Sequence, residues 1–78
     1  MSRIDRLLEP QIPRLRRYAR SLTRDLERAE DLVQSSLMRA LAKEHLWAPG
    51  SDLRAWLFTI LRNTYYTAMV RRRREVRD

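Results

Sequence analysis

LRAWLFTILRNTYYTAMVRR, residues 53–72, is the stretch whose reading decides the fold. Leu53, Trp56, Leu57, Ile60, Leu61, Thr64 and Ala68 recur at intervals of three and four, which places them on one side of a helix. Neither Gly nor Pro interrupts the run, and Ser51 or Asp52 stands ahead of it, where a side-chain oxygen caps free N–H groups. The spacing predicts a helix over about residues 53–72 whose apolar side needs other helices to cover it.

Working outward, the preceding segment HLWAPGS, residues 45–51, holds the only Gly of the chain with a Pro beside it, and reads as an ordered loop. Before it, Leu26, Ala29, Val33, Leu37, Ala40 and Leu41 form an apolar stripe that predicts a helix over about 26–44. Asp25 suits its N-cap, and Glu27, Glu30 and Asp31 suit the positive end of its dipole. Ile12, Leu15, Ala19 and Leu22 predict another helix over about 11–23. Pro13 fits the first turn of that helix, or a kink if the helix starts as early as Ser2. The expected class is all-α: a compact bundle of three main helices, with room for a short extra N-terminal helix.

The 78 residues make one domain, 1–78, and exclude several function classes. There is no Cys, and His45 is the only His, so no disulfide, metal or cofactor site is expected. No signal peptide and no run of about 20 apolar residues is present, which points to a cytoplasmic protein away from membranes. Catalysis needs a nucleophile with a base, or carboxylates in a cleft. The carboxylates here cluster where capping explains them, and no Gly-rich phosphate loop precedes a helix, so no enzymatic role is expected.

The charge is informative. Residues 1–52 carry ten basic and eight acidic groups, and residues 53–78 carry seven and two, so most of the net +7 lies at the C-terminal end. Such a field favours a polyanion, although a solvated basic tail would look the same. On the third helix Arg54, Phe58, Arg62, Asn63, Tyr65 and Tyr66 interleave guanidinium groups with rings, ahead of Arg71, Arg72, Arg73 and Arg74. Arginines neutralise phosphates while rings stack on unpaired bases, so this pattern suggests single-stranded or opened DNA. Phe58 and Tyr65 have a second reading, as packing residues against the first helix. Asp31, Gln34, Ser35, Met38 and Arg39 lie beside the stripe of the second helix, either as a solvated face or as a docking surface.

Two segments in order, AEDLVQSSLMRAL at Ala29–Leu41 and LRAWLFTILRNTYY at Leu53–Tyr66, carry a resemblance, with LRRYARSL ahead and an arginine run behind. Together they closely resemble region 2, the sigma-2 domain, of ECF-type bacterial sigma factors. The stretch APGSDLRAWLFTILRNTYY looks most like the alphaproteobacterial general-stress-response subgroup. The resemblance implies a domain that binds RNA polymerase core and recognises and melts the promoter minus-ten element during transcription initiation. It implies that Asp31, Gln34, Ser35 and Met38 dock on the β′ coiled coil. His45, Leu46 and Trp47 would then shape a pocket for a flipped-out base of the non-template strand. Arg54, Arg62, Asn63 and Tyr66 would hold backbone and neighbouring bases, and Arg71, Arg72, Arg73 and Arg74 would hold phosphates. Trp56 falls on the apolar face and reads as core.

An anti-sigma factor is a further implied partner, because it would cover the same polymerase-binding helix. The alternative reading is a sigma-mimicking module that binds an anti-sigma factor without touching DNA, and this reading expects an acidic or neutral third helix. A region-4 domain for the minus-thirty-five element is expected to be absent from these 78 residues.

Overall fold

The computed structural model describes residues 3–76, and the side chains within it from Ile4 to Arg74. Its elements are α1 (Arg3–Leu8), a 3-10 turn (Glu9–Gln11), α2 (Ile12–Thr23), α3 (Leu26–Ala42), a second 3-10 turn (Glu44–Leu46) and α4 (Leu53–Val76). The described residues contain no strand. The all-α bundle of three main helices is therefore as expected, and the short extra helix is α1.

The two prolines near the amino terminus explain how α1 is separated from α2. Pro10 lies in the 3-10 turn, and Pro13 occupies the first turn of α2, where its missing N–H leaves no intrahelical bond unmade. A start at Ser2 lies outside the described residues. Ile4 and Leu8, one helical turn apart, bury fully or nearly so, which makes α1 a flap over the core.

Only Arg24 and Asp25 join α2 to α3. Arg24 closes α2 in the left-handed conformation (φ 55°), and its N–H donates to Arg20 C=O at 2.8 Å. Asp25 then caps α3, accepting the Arg28 N–H at 3.1 Å. So short a link makes the two helices an antiparallel pair.

The buried face of α3 differs from the expected stripe. Ala29, Val33 and Ala40 are buried, but Leu26 and Leu41 are exposed, and Leu32 and Ser36 take their places. The helix is turned because it packs on α2 and α4 at once, so its buried arc centres between them. Ser36 is tolerated there because its O–H donates to Leu32 C=O at 2.7 Å, leaving a small side chain with no unmet donor. The helix also ends at Ala42, two residues short of the expected bound, because Glu44–Leu46 tighten into a 3-10 turn.

Asp52 caps α4 by accepting the Ala55 N–H at 3.1 Å. Leu57, Ile60, Leu61 and Thr64 are buried against α2 and α3, with Leu53 and Trp56 half-buried at the rim. Ala68, expected in the core, is exposed, because it faces an open groove between α3 and α4. The helix nevertheless continues to Val76, one turn past the expected Arg72. No Gly or Pro stops it, and arginines suit the negative end of its dipole. Its 24 residues make it about 36 Å long, most of the 44 Å long axis of the molecule. No described helix is long and apolar enough to cross a membrane.

Candidate functional site

The rings and arginines of α4 separate into two sets. Phe58 stacks on Tyr18 of α2, with centroids 5.0 Å apart and planes 15° apart, and the Tyr65 O–H donates to Leu22 C=O at 3.0 Å. Phe58 and Tyr65 therefore fasten α4 to α2, which answers the two readings open for them in favour of packing. Tyr66 is different. It is 54% exposed, and it shares the outer ridge of α4 with Arg62, one turn earlier, and Arg73, nearly two turns later. Asn63 is exposed on one flank of that ridge and Arg54 on the other. Arg71, Arg72, Arg73 and Arg74 are all exposed toward the C-terminal end of α4, with Arg71 and Arg72 on the side that faces α3.

The loop ahead of α4 supplies a second group. The turn Glu44–Leu46 raises His45 and Leu46 into solvent, Leu46 at 66% exposure. Trp47 folds the other way and packs half-buried against the core. Its indole N–H is buried with no hydrogen-bond partner. An unmet buried donor of this kind costs about 1–3 kcal/mol. His45 and Leu46 are thus exposed while Trp47 packs inward.

A third surface lies on α3. Asp31, Gln34 and Met38 are exposed on the outer side of the helix, and Met38 is 71% exposed. Leu41 continues this line one turn later, exposed when sequence periodicity had placed it inside. Nothing in the local pattern separates Leu41 from its buried neighbour Ala40, because both fit a stripe at intervals of three and four. Ser35 sits on the flank nearest α4. There it borders an open groove of about 480 Å³ between the two helices, with Arg28, Asp31 and Leu32 on one wall and Tyr65, Met69 and Arg72 on the other. Among the described residues no group of three His, Asp or Glu side chains converges on a metal position.

A family model described as the "Sigma2 domain of PhyR" matches residues 8–62 of this chain. Over 67 residues the chain is 54% identical to the ECF RNA polymerase sigma factor EcfG of Rhodopseudomonas palustris, which covers 86% of this chain and 37% of that protein. It is 32% identical over 73 residues to the ECF RNA polymerase sigma factor SigM of Bacillus subtilis, covering 94% of the chain and 44% of SigM. Among solved structures, the sigma factor RpoE of Bartonella quintana, crystallised with the anti-sigma factor NepR, superposes with a TM-score of 0.89 at 49% identity. That match covers 96% of this chain and 47% of the RpoE chain. The chain thus spans less than half the length of these relatives. Fold, helix order and sequence agree: the chain belongs to the sigma-2 domain family described by the PhyR model, and it is similar to the corresponding part of ECF sigma factors.

Proposed function

We propose that the chain acts in the cytoplasm in transcription initiation, without catalysis, binding RNA polymerase core with one surface and the opened minus-ten element with another. The observation that carries this reading is the division of exposed chemistry between α3 and α4. On α3, Asp31, Gln34, Ser35 and Met38 give a polar arc with one flexible apolar side chain, suited to a partner helix. These four are the residues we assign to the β′ coiled coil, with Leu41 as an apolar neighbour.

On the other surface, the exposed His45 and Leu46 and the inward-packed Trp47 would hold a base flipped out of the non-template strand. Flipping costs a few kcal/mol, and stacking on Tyr66, worth about 1–3 kcal/mol per base, offsets it together with phosphate contacts. Arg54, Arg62 and Asn63 border the track of the strand, and Arg71–Arg74 continue it as a phosphate-binding arm.

The test is fluorescence anisotropy with a single strand carrying a minus-ten element and with a scrambled strand. Asn63→Ala should reduce the preference between the two strands, and so should Trp47→Ala, with Trp47→Phe as the variant that keeps an aromatic ring there. Arg72→Ala should weaken both strands alike and reduce the salt slope by about 0.7 for single-stranded DNA. Equal losses for both strands in all these variants would overturn the pocket assignment.

A second reading rests on the relative crystallised with its anti-sigma factor. An anti-sigma factor would cover the outer arc of α3 and the adjacent α3–α4 groove, in competition with polymerase. A module that only mimicked a sigma factor would need no basic α4, yet Arg54, Arg62 and Arg71–Arg74 are all exposed. We therefore favour a domain that serves both partners.

A further inference from the structure

Neither role uses α2, whose outer face is chemically one-sided. Its sequence IPRLRRYARSLT contains four arginines and no carboxylate, and Arg24 follows as its C-cap. The core side of the helix is taken by Leu15 and Ala19, with Tyr18 stacked on Phe58. Arg16 alone is neutralised, by Glu30 at 3.0 Å across the α2–α3 seam, the one ion pair among the described residues. Arg17 and Arg20 are exposed opposite the core, Arg14 is exposed on the adjoining flank one turn before Tyr18, and Arg24 is exposed at the C-cap. Because α2 packs on both α3 and α4, Arg17 and Arg20, opposite its core side, point away from both helices.

The helix keeps these arginines against local preference. Arg14 lies in the first turn, where the dipole favours a carboxylate, and no acidic residue is present there to compensate. Arg14 and Arg17, and Arg17 and Arg20, are like charges about one turn apart. Arg24 occupies a left-handed position (φ 55°) that glycine would fill without strain. Residues retained against three such preferences point to a partner that relieves them.

We propose that the outer arc of α2 is a second DNA-binding surface, which holds the phosphate backbone of duplex DNA without reading its bases. Charge complementarity selects a polyanion, and the absence of any exposed ring on this arc selects duplex over single strand. With no platform for stacking, only charge density counts, and a duplex offers twice that of one strand. From Arg14 to Arg24 the helix covers about 15 Å, a length over which a duplex presents about nine phosphate charges. The guanidinium groups suit phosphate oxygens in geometry as well as in charge. This surface stands independently of the strand-capture reading for α4.

The experiment titrates the full chain, and two variants, with a 20-base-pair duplex of arbitrary sequence and with a single strand of the same length, over a range of salt. The α2 variant is Arg14→Gln, Arg17→Gln, Arg20→Gln, which leaves the left-handed Arg24 untouched; the α4 variant replaces Arg71–Arg74 with Gln. Circular dichroism and thermal melting verify that each variant is folded. For the α2 variant, the slope of log affinity against log salt on duplex should fall by about 2.7, with single-strand binding within about twofold of wild type. The α4 variant should lose single strand and retain a measurable duplex slope. An unchanged duplex slope in the α2 variant, an equal loss on both DNAs, or tighter binding of the wild-type chain to phosphatidylglycerol vesicles than to duplex would each overturn the proposal. Failure of the α4 variant to lose single strand would count against the strand-capture reading alone.

Discussion

The two halves of α4 differ in what holds them. From Leu53 to Thr64 the helix is a core element: Leu57, Ile60, Leu61 and Thr64 are buried, and Phe58 and Tyr65 tie its side to α2. From Tyr66 to Arg74 no residue is buried, and four consecutive arginines lie in solvent. One unbroken helix is thus a scaffold over its first half and a charged arm over its second. The difference teaches that exposure along a helix follows how closely its neighbours approach as much as its own periodicity. Ala68 satisfies the apolar spacing and is still exposed, because α3 stands off from it across the open groove that Leu32 and Ser35 line.

Substitutions can break this contrast at graded cost. Leu61→Ala, in the scaffold half, removes a fully buried side chain and should destabilise the domain by about 2–5 kcal/mol in thermal or urea unfolding. Asp52→Ala removes the cap at the start of that half and should cost about 1 kcal/mol by the same measurement. Tyr65→Phe keeps the ring but deletes the hydrogen bond to Leu22 C=O, and a loss of about 0.5–1.5 kcal/mol is expected. In the arm, Val70→Ala should change stability by no more than about 0.5 kcal/mol, since Val70 is already half exposed. A Val70→Ala cost similar to that of Leu61→Ala would mean that the arm is packed in solution and that the contrast is false.

Much of this architecture was legible in the sequence, because it follows from local rules. The caps at Asp25 and Asp52, the loop at the single Gly, and the apolar side of α4 through Thr64 need only short-range patterns. What was not legible depends on packing between helices. Leu26 and Leu41 fit the stripe of α3 as well as Ala29 and Val33 do. Only the simultaneous approach of α2 and α4 turns the helix so that Leu32 and Ser36 go inside. The core role of α1 was equally hidden, since Ile4 and Leu8 make a single apolar pair, too short a repeat to define a face. As for the site, Tyr66 and Arg62 share an exposed ridge, whereas Phe58 and Tyr65 leave the interleaved pattern for α2. A sequence shows which rings and arginines share a helix, but whether a ring stacks on a base or on Tyr18 depends on where the next helix lies.

The central claim, that the outer arc of α3 docks on polymerase while α4 takes the DNA, is tested most directly by a pull-down. Purified polymerase core, or its β′ coiled-coil fragment, is captured by the wild-type chain and by an Asp31→Ala, Gln34→Ala double variant. Both positions are exposed, so the variant should melt within about 0.5 kcal/mol of wild type while losing most of its capture. Full capture by the double variant, or none by a folded wild-type chain, would contradict the assignment of α3 as the docking helix.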